Sequence, residues 1–218
     1  MTTTGTGGAA ATTATDRSTG TVAVVPVKAF DRAKGRLAGH LSDAERARLA
    51  RSMADGVLRA AAPMPVTVVC DDDAVADWAR DAGAAVVWAP GTDLNAAVEL
   101  AVGRLAGAGV PRAVVVHADL PFARDLSALA TTDGSEVVLV ADRHGDGTNV
   151  LSVPTDARFR FRYGPASRAA HREEAARCGL TVREVTDERL AWDVDGPDDL
   201  RPPPGWGPVP GLPGGDGP

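Results

Sequence analysis

Short runs of β-branched residues alternate along the chain with longer segments in which apolar residues recur at helical spacing. Five runs are almost continuously apolar, which is typical of strands buried on both faces. These runs cover residues 21–27, 66–70, 84–88, 112–117 and 136–141. Helices are predicted over 41–61, where Ser42 and Glu45 form a capping-box pattern, and over 93–109, which ends on glycine. This alternation predicts parallel strands, helices on both faces of the sheet, and ligands at the carboxyl ends of the strands.

The pattern changes after the fifth run. The segment TNVLSVP, residues 148–154, follows the turn sequence DRHGDG with no helix between the two runs. A strand that returns after a short turn is predicted to run antiparallel to its neighbour. The expected fold is therefore a single Rossmann-like α/β domain over residues 21–201, with a mixed and mostly parallel sheet.

The two ends of the chain have a different composition from the rest. Residues 1–20 are rich in Thr, Gly and Ala, and residues 202–218 are rich in Pro and Gly. Neither segment has enough apolar surface to offset the entropy of ordering it, so both are predicted to be disordered tails. Trp206 leaves two interpretations open, because it either docks its tail on the domain or lies exposed in a flexible segment.

Charge and cysteine content narrow the class of protein. The formal net charge of −6 argues against a nucleic-acid partner, which would require a basic face. Cys70 and Cys178 lie far apart without metal-ligand spacing, as expected for reduced thiols in the cytoplasm. No run is long enough to span a membrane, and the N-terminus lacks a signal core. We expect a cytoplasmic protein with no membrane partner.

Acidic residues stand where a parallel sheet binds its ligands. Asp119 follows the fourth run in HADLPF, while Asp193 and Asp195 are separated by one residue in WDVDGPDDL. Residues two apart in an extended segment point the same way, so both carboxylates of the second motif can address one cation. Each motif also has a simpler interpretation, because aspartates at strand ends and helix starts are often only caps.

A basic loop follows the first strand, where nucleotide-binding folds usually place glycines. It carries Lys28, Lys34 and Arg36. A single cation in a loop usually faces solvent, but three are better explained as a cradle for a polyphosphate. Mg²⁺ held by Asp119 and Asp193 would bridge the phosphates that these cations neutralise from the other side, because it accepts carboxylates together with phosphate oxygens.

Two further segments suit a small anion. Thr148 follows the glycines of RHGDGTNVL, while Gly164 and Ser167 lie at a predicted helix start in RYGPASRAAH. Freed backbone N–H groups, hydroxyls and the helix dipole favour a carboxylate or phosphate there. The simpler interpretations are an ordinary hairpin turn and a capped helix. His171, within the predicted helix, is expected to lie on its surface.

Six motifs in this order resemble the 2-phospho-L-lactate or phosphoenolpyruvate guanylyltransferase family of coenzyme F420 biosynthesis. The motifs are PVKAFDRAKGRLA, DLNAAVELA, HADLP, DRHGDGTNVL, RYGPASRAAH and DVDGPDDL, spanning roughly residues 21–201. The DLP and D-x-D-x-P-x-D-L elements are shared with the wider superfamily of GT-A-like nucleotidyltransferases, whose fold is therefore expected. The cationic loop and the GTNVL turn favour the F420 branch.

The resemblance implies a role for each site residue. Mg²⁺ is assigned to Asp119, Asp193 and Asp195. The carboxylate end of the phosphorylated acid is assigned to Thr148, Gly164 and Ser167. The triphosphate is assigned to the catalytic loop residues Lys28, Lys34 and Arg36, which act with Asp119, and Asn95 is placed beside the base.

The implied reaction joins GMP from GTP to a phosphorylated three-carbon acid and releases pyrophosphate. The acid is phosphoenolpyruvate, 2-phospho-L-lactate or 3-phosphoglycerate, and a partner transferase would consume the GDP-linked product. No covalent nucleophile is required, because a phosphate dianion already attacks the α-phosphorus. Two alternatives stay open: another GT-A-like nucleotidyltransferase, of the molybdopterin-cofactor or sugar-phosphate type, and a non-catalytic GTP-binding module.

Overall fold

The fold is described by a computed structural model over residues 20–131 and 133–212. The strands are β1 (Thr21–Pro26), β2 (Val66–Cys70), β3 (Ala85–Trp88), β4 (Arg112–Val116), β5 (Glu136–Ala141), β6 (Thr148–Pro154) and β7 (Thr181–Glu184). The helices are α1 (Asp43–Ala61), α2 (Asp73–Asp81), α3 (Leu94–Gly107) and α4 (Ser167–Arg177). In this part of the chain no helix is long and apolar enough to cross a membrane.

All seven strands form one sheet in the order β3-β2-β1-β4-β6-β5-β7. Strand β1 pairs in parallel with β2 and β4, β2 with β3, and β5 with β7. Strand β6 runs antiparallel to both β4 and β5. The predicted α/β fold with a mixed, mostly parallel sheet and an antiparallel strand over 148–154 is confirmed.

The central strands are buried on both faces because helices cover both sides of the sheet. Successive residues of a strand point to opposite faces. Ala23 and Val25 of β1 therefore pack in the core that α1 and α2 cover. Val24, between them, packs in the core on the side of α3 and α4. This arrangement explains the continuous β-branched runs of the sequence.

Two elements were not predicted. Helix α2 is only nine residues long, although Asp72 caps it by accepting a hydrogen bond from the Val75 N–H. Strand β7 lies at the sheet edge and is mostly exposed, with the sequence TVRE. Helix α2 has apolar residues at helical spacing, but nine residues are fewer than the window over which this signal is usually read, and the polar edge strand has too few apolar residues to alternate. The capping box at Ser42 and Glu45 is confirmed.

A β-bulge interrupts the pairing of β5 with β6. Val140 lies opposite Val150, but Ala141 lies opposite Thr148, so Asn149 is the extra residue. Bulges of this kind re-aim side chains, and they recur next to active sites. The bulge lies at the end of β6 nearest to the segment that carries Asp193, toward which Asn149 points.

The C-terminal segment, residues 202–212, packs on the domain. Val209 is fully buried, and Trp206 and Leu212 are partly buried beside it. The Trp206 ring lies 5.1 Å from Phe122 and 5.8 Å from Trp192. The prediction of a disordered tail is therefore wrong for residues 202–212, because three apolar side chains spaced three residues apart outweigh the Pro and Gly content. Residues 1–19 and 213–218 lie outside the described part of the chain.

These C-terminal side chains complete one small apolar cluster, which we call the anchor cluster. Its fully buried or nearly buried members are Leu37, Leu49, Met53, Phe122, Val194 and Val209. The segment approaches α1 closely at Gly211, which has a φ of +85° and whose added Cβ would lie 2.7 Å from Ser52 Cβ. The fit at Gly211 leaves no room for a side chain.

Removing residues 202–218 should lower the free energy of unfolding by at least about 2 kcal/mol, because burying a single valine stabilises a protein by about 1.5–3 kcal/mol. Urea denaturation measures the loss. A chain that ends after Leu212 keeps every contact described above and is the matched control. Equal unfolding midpoints for the two shortened chains would contradict the packing of this segment.

Candidate active site

A cavity of about 1030 Å³ opens at the carboxyl ends of β1, β2 and β4. Its wall contains every predicted site residue except Asn95. The residues brought together are Lys28, Lys34, Arg36, Asp119, Thr148, Gly164, Ser167, Asp193 and Asp195. Segments separated by up to 167 positions in the sequence therefore meet at one edge of the sheet, as the fold class predicts.

Lys34 lies among the carboxylates instead of facing solvent. Its Nζ is 2.6 Å from Asp119 Oδ2 and 3.6 Å from Asp195 Oδ1, and its side chain is only 11% exposed. Lys34 adopts the left-handed conformation, with φ of 57°, and a 3-10 turn then leads to buried Leu37. Left-handed backbone is costly for a residue with a Cβ, so the ion pair and the buried leucine together stabilise this loop.

The acidic residues approach one another through backbone pairing. The Val194 N–H donates to the Asp119 carbonyl at 3.1 Å, which brings Asp193 and Asp195 beside the end of β4. Burial, and then the charge of Asp119, raises the pKa of Asp193 to about 6. Burial, the largest single effect, would raise the pKa of Asp119 too, but the charges of Lys34 and His117 and the hydrogen bond from Lys34 together outweigh it and hold that pKa below its usual range.

The capping role that the sequence left open belongs to another residue. Asp199 accepts hydrogen bonds from the Asp195 N–H at 2.7 Å and the Gly196 N–H at 2.6 Å. Arg143 pairs with Asp199, and its guanidinium lies over the Trp192 ring at 4.2 Å. The carboxylates of Asp193 and Asp195 are therefore not used as caps of this turn.

The donor set fits a divalent cation that also binds its substrate. Asp119 Oδ1 is buried and makes no hydrogen bond to any described residue. Within residues 20–131 and 133–212, no three Asp, Glu, His or Cys side chains enclose a metal ion by themselves. Mg²⁺ does not need such a cage, because it is commonly bound by one or two carboxylates, waters and substrate phosphates.

Asn149 is a site residue that the sequence did not identify. Its side chain is buried, and its Nδ2 donates to the Leu190 carbonyl at 3.0 Å and to Asp193 Oδ1 at 3.4 Å. It therefore orients Asp193 toward the cavity. Its position depends on the bulge in β6, which neither apolar periodicity nor turn composition reveals.

The remaining loop cations lie at the cavity surface. Lys28 is exposed on the wall, and Arg36 is 79% exposed with one guanidinium nitrogen 3.4 Å from Asp195 Oδ2. An exposed pair at this distance contributes little to stability. Both side chains can therefore turn toward an anion without loss of packing.

Thr148, Gly164 and Ser167 form what we call the acceptor subsite. Thr148 and Ser167 are each 2% exposed, and Gly164 has a φ of +131° that disfavours any larger residue. The first amides of α4 are already engaged: those of Ala166 and Arg168 donate to Asp146, and that of Ser167 to Gly164. The subsite therefore offers hydroxyls more than the free helix N–H groups that the sequence predicted.

His171 is fully buried, so its predicted place on the helix surface is wrong. Its Nε2 accepts a hydrogen bond from the Arg162 N–H at 3.0 Å, and its Nδ1 lies 3.0 Å from Thr148 Oγ1. Burial, and to a lesser extent the charges of His117 and Arg162, lowers the pKa of His171 to about 4. The ring is neutral at pH 7.

Asn95 lies outside the cavity wall. Its Nδ2 donates to the Tyr163 carbonyl at 3.2 Å, and its Oδ1 accepts from the Tyr163 N–H at 2.7 Å. With both ends of the amide engaged on backbone, its place beside a nucleotide base is not supported. Asn95 instead fixes the segment that leads into Gly164.

The described strands, in this order, form the GT-A-like fold, with carboxylates after β4 and a cation loop after β1. A solved structure with this fold is that of a protein from Desulfovibrio desulfuricans G20 that is described, without an established activity, as a nucleotide-diphospho-sugar transferase. It matches with a TM-score of 0.67 and 19% identity over 81% of this chain and 82% of that one.

Sequence comparison identifies the family. A family model described as guanylyl transferase CofC like matches residues 21–202, and the chain belongs to this family. The phosphoenolpyruvate guanylyltransferase of Sphaerobacter thermophilus is 36% identical over 196 residues, covering 87% of this chain and 95% of the relative. That of Rubrobacter xylanophilus is 37% identical over 185 residues, covering 82% and 90%. The family resemblance drawn from the six motifs is confirmed.

The neutral buried state of His171 should make stability fall in mild acid. The unfolded imidazole binds a proton near its usual pKa of 6.5, whereas the folded one does so only near 4. Stability is therefore present above pH 6.5 and lost as the pH falls toward 4, by up to about 3 kcal/mol. His117 and Arg162 oppose protonation of the ring, while Glu174 favours it.

Urea denaturation at pH 7 and pH 4.5, on the wild type and on His171→Asn, measures this loss. The variant lacks the imidazole, so its free energy of unfolding should fall less between the two pH values. An identical fall in both proteins would assign the acid sensitivity to carboxylates and contradict the prediction.

Proposed function

We propose that this protein transfers GMP from GTP to the phosphate of a phosphorylated three-carbon acid and releases pyrophosphate. Membership of a guanylyltransferase family supports the class of reaction. The relatives named above act, by their names, on phosphoenolpyruvate, so phosphoenolpyruvate is the proposed acid. 2-Phospho-L-lactate and 3-phosphoglycerate differ from it by a few atoms and are the competitors to test.

One observation carries this proposal: Lys34 Nζ lies between Asp119 and Asp195 in the wall of a single large cavity. Carboxylates that can hold a divalent cation, and cations that can neutralise phosphates, stand side by side there. Thr148 and Ser167 line the same cavity. This combination suits two anionic substrates that must approach each other despite their like charges.

Asp119 and Asp193 would hold Mg²⁺, with Asp195 as a further ligand. When bound, the ion would neutralise phosphate oxygens and align the attacking and leaving groups. Asp119 Oδ1 is buried and has no hydrogen-bond partner among the described residues, which is consistent with that role, as is the pKa of Asp193, raised to about 6. Asn149 keeps Asp193 in place by donating to its Oδ1.

The side chains of this cavity contribute position and charge more than covalent chemistry. Lys28, Lys34 and Arg36 would neutralise the triphosphate, whose negative charge grows on the departing pyrophosphate. The hydroxyls of Thr148 and Ser167 would hold the carboxylate of the acid. With both substrates oriented, a phosphate oxygen of the acid attacks the α-phosphorus of GTP without a protein nucleophile.

The product would be a GDP-linked acid that a partner transferase consumes, and a role in coenzyme F420 biosynthesis stays a prediction from the family resemblance. The test is release of pyrophosphate from GTP with each of the three acids in competition, with and without a chelator. ATP, CTP and sugar phosphates form the control panel. Failure of all three acids, with a partner transferase added to consume the product, would reject the proposal.

Asp119→Asn should lower kcat at least about 100-fold, the scale expected when one electrostatic stabiliser is removed. The amide has nearly the same shape as the carboxylate but loses the charge that pairs with Lys34 and a divalent cation. Mg²⁺ titrations with pyrophosphate release as the readout measure the effect, and circular dichroism checks the fold. Turnover near that of the wild type would remove Asp119 from the site.

Lys34→Ala should raise the KM for GTP and also lower kcat, because a cation on the departing pyrophosphate stabilises the transition state more than the ground state. The KM for phosphoenolpyruvate should change much less. Arg80→Ala is the matched control, since Arg80 pairs with Asp77 on the exposed face of α2. If Lys34→Ala weakens only the acid, the loop belongs to the acceptor side and the assignment is reversed.

A further inference from the structure

Four consecutive backbone N–H groups, of residues 160–163, each donate to a side chain on a helix. The Arg160 and Arg162 amides donate to Glu174 and His171 of α4, at 2.8 and 3.0 Å. The amides of Phe161 and Tyr163 donate to Glu99 and Asn95 of α3, at 3.2 and 2.7 Å. The alternation between helices indicates an extended backbone fixed on both sides, and the segment leads directly into Gly164 of the acceptor subsite.

His171 differs from the other three acceptors because it also touches the acceptor subsite. Its Nδ1 lies 3.0 Å from Thr148 Oγ1. Among the described residues, Glu99 makes its side-chain hydrogen bond only to the Phe161 amide, and Glu174 bonds Arg177 in addition to Arg160. His171 therefore joins the fixed segment to the hydroxyl of Thr148.

The two contacts determine which ring nitrogen of His171 carries the proton. A backbone N–H can only donate, so Nε2, which receives the Arg162 N–H, must be the unprotonated nitrogen. The proton of the neutral ring then lies on Nδ1, and Nδ1–H donates to Thr148 Oγ1. Thr148 Oγ1 is thus an acceptor in this contact.

The consequence for Thr148 is that its own proton is directed elsewhere. In the described part of the chain, His171 is the side-chain hydrogen-bond partner of this hydroxyl. Thr148 lines the cavity, where its proton can be donated to a bound anion. The opposite tautomer would turn a lone pair of the hydroxyl toward the cavity, where it would repel a carboxylate. The ring therefore sets the polarity of this part of the subsite.

We propose that His171 is a positioning residue that fixes the Thr148 hydroxyl as a hydrogen-bond donor to the carboxylate of the acid substrate. The identity of that substrate rests on the proposed function. The engagement of the Ala166, Ser167 and Arg168 amides within the protein increases the importance of this donor, because the start of α4 has fewer free N–H groups to offer.

Two substitutions separate the two contacts of His171. Asn places its amide near the position of Nδ1, so His171→Asn keeps a donor to Thr148 and loses the acceptor for Arg162. Gln reaches the position of Nε2, so His171→Gln keeps the acceptor and loses the donor. We expect His171→Gln to raise the KM for phosphoenolpyruvate about tenfold with little change in the KM for GTP, and His171→Asn to remain within about threefold of the wild type.

Glu99→Ala is the matched control for loosening of the segment. The substitution removes the acceptor of the Phe161 N–H, and Glu99 itself makes no hydrogen bond to Thr148. If it raises the KM for phosphoenolpyruvate as much as His171→Gln does, His171 has only a structural role and the proposal is wrong. Thr148→Val removes the hydroxyl itself, so it should match His171→Gln, and the double variant should add no further loss. Additive losses would contradict the proposal.

A readout without turnover distinguishes failure of this inference from failure of the proposed function. Nitrogen chemical shifts of the His171 ring in the substrate-free protein report its tautomer at pH 7. A neutral ring protonated on Nδ1 supports the proposed role of His171, even if none of the three acids causes pyrophosphate to be released from GTP. A ring that is charged, or protonated on Nε2, overturns it whatever the substrate is.

Discussion

The ion pair between Lys34 and Asp119 is the interaction on which the cavity depends. Three carboxylates converge there, and bringing like charges together in a partly buried wall is unfavourable unless a cation lies among them. Lys34 provides that cation, although its backbone must adopt a left-handed conformation to do so. The strain is tolerable because Leu37, three residues later, is fully buried and holds the other end of the turn. The lysine thus stabilises the acidic site while remaining close to where phosphates would bind.

The anchor cluster connects this charged site to the rest of the fold. Leu37 follows the cation loop, Phe122 follows Asp119, and Val194 lies between Asp193 and Asp195, so each charged segment has an apolar neighbour in one small core. Trp206 and Val209 cover that core from a part of the chain beyond the family match, which ends at residue 202. Rigid placement of charges at a surface requires packing beneath them. Here a proline-rich segment provides part of that packing.

The sequence predicted the features that follow from the pattern of neighbouring residues and from the geometry of a parallel sheet. Continuous apolar runs identified the central strands, and strand ends located Asp119 because a parallel sheet brings its carboxyl ends together. Contacts formed only by tertiary structure were missed. His171 shares the buried face of α4 with the polar residues Ser167 and Glu174, so no apolar pattern revealed that it is buried against Thr148. Asn149 depends on a bulge, and Asn95 pairs with a distant backbone segment. The packing of Trp206 on the domain was not predicted, because the Pro and Gly residues around it indicated a disordered tail.

In the proposed function the cavity binds the triphosphate through cations and the acid through hydroxyls, which explains how an acidic protein can bind two anions. Charge neutralisation is confined to the side where Lys28, Lys34 and Arg36 lie, within reach of carboxylates suited to a divalent cation. The opposite side presents the hydroxyls of Thr148 and Ser167, and the described wall has no lysine or arginine there. The nearby carboxylates of Asp142 and Asp146 accept backbone N–H groups. At physiological ionic strength charges are screened beyond about 8 Å, so these local groups, not the net charge of −6, determine what binds. Because no lysine or arginine of the described wall lies on the side of Thr148 and Ser167, the direction of each hydroxyl proton there becomes a determinant of selectivity.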